Sequence, residues 1–160
     1  MAAPHLTLLT SADWHDYELL DSGDLKKLER FGKFRFIRPE PQAMWQPRLD
    51  AGAWVADGVF QPDKNGPKNN ESGGWNLSKN VPDCWQMQYQ KLRFLARPTP
   101  FRHLGFFPEQ AAHWNWCAEK IHKFRQRHNR RPRILNLFAY SGLASLHAAS
   151  AGAEVIHVDA

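Results

Sequence analysis

The sequence predicts an α/β protein in which a β-rich N-terminal module precedes the first β-α-β unit of a parallel sheet. Two observations predict this class. Over the first sixty residues, short runs of aromatic and β-branched residues alternate with turn signals. Later in the chain, the apolar spacing changes to that of an amphipathic helix followed by short buried strands. We expect the module at 1–95, a connecting segment with a helix at 96–132, and the start of a second domain at 133–160.

The composition is that of a folded globular protein. Of the 160 residues, 42% are hydrophobic and 23% are charged, which argues against chain-wide disorder. Two cysteines cannot build a disulfide framework or a zinc site on their own, so no metal is expected. The sequence has neither an apolar run of about 18 residues nor a signal-peptide pattern. We therefore expect a cytoplasmic protein that does not enter a membrane.

Positive charge is concentrated in one stretch. Residues 91–133 contain eleven Lys and Arg side chains against two Glu, whereas the chain as a whole carries a net charge of +5. Such a basic block is typical of proteins that bind a polyanion such as RNA. The alternative is a solvated helix end whose cations complement the negative pole of the helix dipole. The sequence leaves both interpretations open.

The N-terminal module is predicted to consist of short strands. Strands are expected within 33–40, 53–60 and 84–95, with turns at 21–24 and 30–33. The intervening stretch 61–82 is rich in Asn, Gly, Pro and Lys, and is predicted to be a long loop or an insertion. Four tryptophans are predicted to fill a small core: Trp45, Trp54, Trp75 and Trp85.

A helix is predicted next. Pro108 suits the first helical position, and Glu109 suits the positive pole of the helix. The basic segment 128–132, which ends in a proline, marks the end of the helix. The apolar positions recur at helical spacing: 111, 114, 117, 118, 121 and 124.

A compact β-α-β pattern closes the chain. Strands are predicted at 133–138 and 154–159, joined by a turn at 139–142 and a small-residue helix at 143–149, with Gly152 ending that helix. Fewer than 30 residues make up the whole unit. Its crossover is expected to be right-handed.

The carboxyl ends of these two strands are the candidate binding site, because ligands of open α/β sheets lie there. Asp159 ends the second strand, where a carboxylate accepts hydrogen bonds from the two hydroxyls of a ribose. The loop 136–142 has one glycine, Gly142, and two aromatic residues, Phe138 and Tyr140. It therefore suits a nucleoside without phosphates, such as S-adenosylmethionine, better than a pyrophosphate. The alternative is a structural β-α-β unit with an incidental terminal acid.

Three segments carry a family resemblance. The stretch ILNLFAYSGLASLHAASAGAEVIHVDA (134–160) resembles motifs I and II of class I S-adenosylmethionine-dependent methyltransferases. FRHLGFFPEQAAHW (101–114) and YELLDSGDLKKLERFGKFRFIRPEPQAMW (17–45) are similar to the branch that modifies bacterial large-subunit ribosomal RNA and its uncharacterised relatives. The departure is the missing Gly-x-Gly of motif I, where Phe138 and Tyr140 replace glycines. The resemblance implies the N-terminal part of a Rossmann-like methyltransferase fold.

By position, the resemblance also implies a set of cofactor contacts. The methionine and sulfonium end would be lined by Asn136, Phe138, Tyr140 and Gly142. Asp159 would hold the ribose hydroxyls, Ala160 would begin the adenine wall, and Phe107 and Gln110 would cover the cofactor. An ordinary first-turn residue is the alternative for Gln110.

Other chemically capable residues are interpreted as structural. His113 is expected to be structural unless it contacts the substrate, and Cys117 is expected to be a buried apolar residue. Ser141 and Ser145 are interpreted as turn and helix residues, since no base is spaced to activate either one.

The resemblance places the catalytic residues and the methyl-acceptor pocket beyond residue 160, so the catalytic residues are unknown. We expect the chain by itself to transfer no methyl group, and RNA to be the substrate of the longer enzyme. Two other functions stay open. One is a fragment of a nicotinamide-dependent oxidoreductase, which shares the β-α-β unit and the terminal acid. The other is a non-catalytic RNA-binding module that uses the basic block and the aromatic residues.

Overall fold

The computed structural model describes residues 8, 10, 14–63 and 72–160. It contains nine strands and two α-helices in these residues, a mixed α/β structure as predicted. Two compact units are present, one spanning Asp13–Gly105 and the other containing Phe106–Ala160. No helix within the described ranges is long and apolar enough to cross a bilayer.

The first unit is built on a five-stranded sheet. Its strands follow one another in chain order: β1 (Tyr17–Gly23), β2 (Lys26–Phe31), β3 (Phe34–Pro39), β4 (Gly58–Pro62) and β5 (Gly73–Leu77). All neighbouring pairs are antiparallel except β3 and β4, which are parallel. A hairpin of β6 (Trp85–Tyr89) and β7 (Leu92–Ala96) completes the unit.

Several predicted boundaries in this unit are corrected. Positions 21–23, predicted as a turn, continue β1, and the chain reverses at Asp24 and Leu25, which both have positive φ. The predicted strand at 84–95 is a hairpin that turns at Gln90. The predicted loop or insertion at 61–82 contains β5, and its residues 64–71 lie outside the described residues. The turn at Gly32 is confirmed.

Aromatic rings from the sheet and the hairpin form the core of this unit. The fully buried side chains include Leu28, Phe31, Phe36, Met87 and Tyr89. The Trp85 ring stacks on Phe36 with centroids 5.5 Å apart and planes at 8°. Trp45 was predicted to be a core residue, but it is 56% exposed. Its indole N–H donates to the backbone oxygen of Ser22, which a surface ring can do without burial.

In the second unit, a helix and a β-α-β motif share one small core. A 3-10 turn, Pro108–Gln110, leads into α1 (Ala111–His128), and Asn129 ends the helix in the left-handed conformation. Then follow β8 (Arg133–Asn136), α2 (Leu143–Ser150) and β9 (Glu154–His157). Ile121 of α1 packs against Ala148, Ala151 and Ala153, whose small side chains allow close approach.

The two parallel strands β8 and β9 are covered on one face. They pair Ile134 with Val155 and Asn136 with His157, and Ile134 and Val155 pack against the helical core. The opposite face was predicted to be buried, but its four apolar side chains are 44–56% exposed: Leu135, Leu137, Ile156 and Val158. Within the described residues, the apolar run of β8 thus supplies one partly buried and one exposed row.

Candidate functional site

A cavity of about 480 Å³ lies within the second unit. The start of α1, the end of β8, the loop after it and the first turns of α2 surround it. Most of its wall is apolar or aromatic, and a few polar side chains project among these residues, including Gln110, His113, Asn136 and Ser145. The size and this composition are typical of small-molecule sites.

The loop after β8 is a tight turn with strained backbone. Tyr140 has φ +46° and Gly142 has φ +91°, both in the left-handed region. A Cβ at position 142 would lie 3.3 Å from Cε1 of His157, so the turn favours glycine there for two reasons. The N–H of Gly142 donates to the Ala139 carbonyl at 2.9 Å, and its own carbonyl accepts the first helical hydrogen bond, from Leu146.

Asp159 is hydrogen-bonded to this loop. One carboxylate oxygen, Oδ2, accepts a hydrogen bond of 2.5 Å from the backbone N–H of Tyr140. The backbone N–H of Ala139 also reaches across to the carbonyl of Val158 at 3.2 Å. The terminal acid and the tip of the loop therefore lie at the same end of the two parallel strands.

The start of α1 forms the facing wall. The rings of Phe107 and Tyr140 lie 5.4 Å apart at 45°. Gln110 Oε1 is 3.0 Å from Nδ1 of His113, one turn further along α1. Gln110 thus lines the cavity and also makes an ordinary local hydrogen bond in the first turn, so both sequence-based interpretations describe part of its surroundings.

Five of the eight residues proposed from the sequence to bind the cofactor line the cavity: Phe107, Gln110, Asn136, Phe138 and Tyr140. Phe138 is 92% exposed and lies at the rim. The other three, Gly142, Asp159 and Ala160, are not part of the lining. Gly142 shapes the turn, Asp159 contacts the wall through Tyr140, and Ala160 is exposed.

The contribution of α1 itself to the cavity wall was not predicted. His113, Trp114 and Cys117 line the cavity from that helix. With Gln110 they follow the spacing i, i+3, i+4 and i+7, which is one face of a helix. That spacing is visible in the sequence, but an apolar stripe by itself does not distinguish a cavity wall from a packed core.

A second contact that the sequence did not predict joins α2 to β9. His157 was given no role, and Ser145 was interpreted as a plain helix residue without a nearby base. In the structure, Nδ1 of His157 is 3.1 Å from the Ser145 hydroxyl oxygen, and the Asn136 amide donates to that same oxygen at 3.0 Å. Twelve residues separate Ser145 from His157, and the β-α-β fold brings them together.

Burial favours the neutral forms of two ionisable groups in the cavity wall. Burial raises the pKa of the Tyr140 phenol and of the Cys117 thiol above their ordinary values. A protonated thiol is a poor nucleophile, so Cys117 is a wall residue here. Among the residues that the structure describes, no group of three His, Cys, Asp or Glu side chains is arranged to hold a metal. The lining can contact a ligand through its apolar surface and through the polar side chains of Gln110, His113, Asn136 and Ser145.

The chain is similar to a solved SAM-dependent methyltransferase from Agrobacterium tumefaciens. The two are 41% identical with a TM-score of 0.84, and the match covers 98% of this chain and 47% of that protein. A candidate SAM-dependent methyltransferase from Streptococcus mutans matches with a TM-score of 0.58 over 88% of this chain and 37% of its own. At 13% identity, that second match concerns the fold alone.

These matches span the Asp13–Gly105 unit as well as the β-α-β unit, since the first covers nearly the whole chain. The chain itself spans about half the length of the Agrobacterium protein. No protein-family model and no curated protein matches the sequence. The match to the Agrobacterium protein supports the resemblance to methyltransferases that the motifs predicted.

Proposed function

We propose that the Phe106–Ala160 unit forms part of the S-adenosylmethionine site of a class I methyltransferase with a Rossmann-like fold. The observation that carries this proposal is the hydrogen bond of Asp159 to Tyr140 beside the 480 Å³ cavity. It joins the acid that follows β9 to the loop that follows β8, at the strand ends where α/β proteins bind nucleosides. The similarity to the Agrobacterium enzyme supports the same function.

The chemistry of the cavity fits this cofactor. Its volume lies within the range of about 300–1,000 Å³ that small-molecule sites occupy. Apolar and aromatic walls suit the adenosyl and thioether parts. A pyrophosphate requires a glycine-rich turn with free N–H groups, whereas here the Tyr140 N–H is bonded to Asp159 and the Gly142 N–H to Ala139. Since these two N–H groups of the loop are already bonded and the loop has a single glycine, the loop suits a nucleoside without phosphates better than a dinucleotide.

The bound cofactor would supply the methyl group, and the residues of this chain would hold and align it. Asn136, Phe138, Tyr140 and Gly142 are proposed for the methionine end. Asp159 is proposed for the ribose, with Oδ2 on the Tyr140 N–H and Oδ1 toward a hydroxyl. Ala160 is proposed for the start of the adenine wall, and Phe107 and Gln110 for the cover.

We further propose that the methyl acceptor of the whole enzyme is RNA, ribosomal RNA being the first candidate. The basic block 91–133 is divided between the two units, with four cations before residue 105 and seven after it. All seven in the second unit are exposed, at and beyond the C-terminal half of α1. Exposed Lys and Arg side chains bind the phosphates of a nucleic acid, and the counterions condensed on those phosphates are released.

Calorimetry tests the cofactor proposal. The chain is titrated with S-adenosylhomocysteine, which keeps every group except the methyl, and separately with NADH. We expect one site for S-adenosylhomocysteine and no heat for NADH. Preference for NADH would overturn the proposal in favour of a nicotinamide-dependent oxidoreductase.

RNA binding is tested by fluorescence anisotropy over a series of salt concentrations. Replacing Arg127 and Arg131 with Ala is expected to weaken binding and to reduce the slope of log K against log salt by roughly 0.7 for each lost phosphate contact. Lys79→Ala is the matched control, because Lys79 is exposed and lies outside the block. Unchanged affinity and slope in the Arg variant would exclude this surface.

The two proposals are separable. RNA binding without affinity for S-adenosylhomocysteine would favour the non-catalytic RNA-binding module. That the chain by itself transfers no methyl group stays a prediction, and its basis is that the chain spans about half of the solved enzyme.

A further inference from the structure

Three polar side chains form a chain of hydrogen bonds beside the cavity. Asn136 ends β8, His157 ends β9, and these two are paired in the parallel register. Between them lies Ser145 of α2, which is 8% exposed. The Asn136 amide donates to Ser145 Oγ at 3.0 Å, and His157 Nδ1 lies 3.1 Å from the same oxygen. Asn136 and Ser145 line the cavity, and His157 lies outside the lining.

The His157 ring packs against the turn before α2. A Cβ at Gly142 would approach Cε1 of the ring to 3.3 Å and Nδ1 to 3.8 Å. The bare backbone of Gly142 therefore makes room for an imidazole whose Nδ1 is directed to Ser145. Three elements hold this ring nitrogen in place: the end of β9, the turn and the first part of α2.

A hydroxyl has a single proton, so Ser145 can donate to His157 or to Asn136 but not to both. If Ser145 donates to an unprotonated Nδ1 of His157, its oxygen must accept from Asn136 through Nδ2. The amide oxygen of Asn136 is then directed away from Ser145. If Nδ1 carries a proton, the Ser145 oxygen accepts from His157, and the hydroxyl proton is released to bond the amide oxygen of Asn136, with the amide turned over. An unprotonated Nδ1 thus holds the hydroxyl proton and keeps the Asn136 amide oxygen free of Ser145.

We propose that Ser145 and His157 are positioning residues that keep the Asn136 amide oxygen available as an acceptor for an N–H donor of the ligand. Within the described ranges, no hydrogen bond engages Oδ1 of Asn136. The inference rests on the proposed function, in which the donor is the ammonium group of the amino-acid end of S-adenosylmethionine. His157 acts on the ligand through Ser145 and Asn136.

Two ligands separate this role from simple structural support. S-adenosylhomocysteine has the ammonium group, and 5′-methylthioadenosine has the same nucleoside without the amino-acid end. His157→Leu removes the acceptor on Ser145. We expect this variant to bind S-adenosylhomocysteine about tenfold more weakly, the loss of one hydrogen bond to a charged group. Its affinity for methylthioadenosine should stay within about twofold of the wild type, a change of under 0.5 kcal/mol.

The matched variant is His157→Asn. Its side-chain oxygen can occupy the place of Nδ1 and accept from Ser145. We expect it to restore the affinity for S-adenosylhomocysteine to within about twofold of the wild type. Circular dichroism and the Tm of all variants establish that they are folded. Equal loss of both ligands in the Leu variant, or no rescue by the Asn variant, would overturn the proposal.

A measurement without ligand keeps the inference independent of the proposed function. The ¹⁵N shifts of the His157 imidazole at pH 8 should show Nδ1 unprotonated, with the shift of a nitrogen that accepts a hydrogen bond, and Ser145→Ala should move Nδ1 to the shift of an acceptor without that bond. A protonated Nδ1 in the neutral ring would overturn the inference. If the wild type binds neither ligand, the proposed function fails, and the ring shifts still decide the direction of the hydrogen-bond chain.

Discussion

The carboxylate of Asp159 accepts a hydrogen bond of 2.5 Å from the backbone N–H of Tyr140. Tyr140 has φ +46°, a conformation that costs a residue with a side chain about 1 kcal/mol or more. The acid two residues beyond β9 thus stabilises a strained turn in the loop that follows β8. In the proposed site, the same carboxylate would also bind a ribose, so shaping the loop and holding the ligand would depend on one side chain.

Two substitutions of Asp159 separate these roles. Asp159→Asn keeps an oxygen that can accept from Tyr140 but loses the charge, whereas Asp159→Ala loses both. We expect both variants to weaken S-adenosylhomocysteine binding, by about tenfold or more for Ala, and only Ala to speed amide hydrogen exchange at Tyr140. Calorimetry and hydrogen exchange measure the two effects. Unchanged exchange at Tyr140 in the Ala variant would exclude the shaping role.

Gly152 is predicted to be a stability determinant of the second unit. It has φ +98° after α2, and a Cβ there would approach the Arg125 guanidinium to within 3 Å. That guanidinium donates to the Ala151 carbonyl at 3.2 Å. Since the arginine can move, backbone strain dominates, and Gly152→Ala should lower the free energy of unfolding by about 1–2 kcal/mol. Urea denaturation measures this change.

The control for that substitution is Gly52→Ala. A Cβ added at Gly52 would meet no heavy atom within 4 Å, and Gly52 does not have a positive φ. We expect a change within about 0.5 kcal/mol, as at ordinary surface positions. Equal effects at the two glycines would show that backbone conformation is not the cause at Gly152.

His147 of α2 should make stability depend on pH. Burial lowers its pKa below the ordinary value of 6.5, although a hydrogen bond to the backbone of Trp114 opposes this. The unfolded chain therefore binds a proton at His147 more readily than the folded chain does. The free energy of unfolding has its full value above pH 6.5 and declines as the pH falls below 6.5. The slope from this group approaches at most about 1.4 kcal/mol per pH unit.

Denaturation from pH 8 to pH 5 measures that slope, and His147→Gln is the comparison because glutamine does not titrate. The difference in unfolding free energy between wild type and variant should be largest at pH 8 and shrink toward pH 5. A difference that does not change with pH would contradict the burial of a neutral imidazole.

In the first unit, Glu29 and Arg38 form a buried ion pair. Nε and one terminal nitrogen of Arg38 each donate to Glu29 at 2.7 Å, and the Tyr17 hydroxyl donates to the same carboxylate at 2.9 Å. Glu29→Gln leaves a buried guanidinium without its counter-charge, so we expect a loss of about 3–5 kcal/mol. Thermal and urea unfolding measure it.

Glu18→Gln is the matched control for the buried pair. Glu18 pairs with Arg30 at 3.3 Å on the surface, where ion pairs contribute about 0–1 kcal/mol. A similar loss in both variants would show that burial of the Glu29–Arg38 pair does not amplify its effect.

Elements with a local signal were predictable. Helix α1 follows from its apolar period, with Pro108 at its start, and the structure has the helix at Ala111–His128 after a 3-10 turn. The parallel pairing of β8 and β9 and the stop at Gly152 are likewise confirmed. In contrast, Gly73–Leu77 begins with two glycines and alternates only over Trp75, Asn76 and Leu77, too short a signal to predict the strand, which pairs with β4. The hairpin turn at Gln90 contains neither Gly nor Pro.

The residues of the candidate site also fall into two groups, those that a local signal identified and those that depend on tertiary contacts. Asn136, Tyr140 and Asp159 were identifiable, because each ends a strand or lies in the segment after one, and the carboxyl ends of parallel strands meet. The contribution of Cys117 required knowing which side of α1 borders a cavity. The Ser145–His157 contact could not be predicted from the sequence, because only the folded β-α-β unit brings these two residues, twelve positions apart, together.

By itself, the sequence determined the order of α1, β8, α2 and β9 in the second unit and the acid that follows β9, because these depend on local periodicity, turn residues and strand polarity. Tertiary structure alone decided which strands pair in the first unit, that Trp45 is exposed and that an imidazole contacts Ser145. The physical reason is that burial and hydrogen-bond partners at long range depend on the packing of whole elements, and no window of neighbouring residues contains that information.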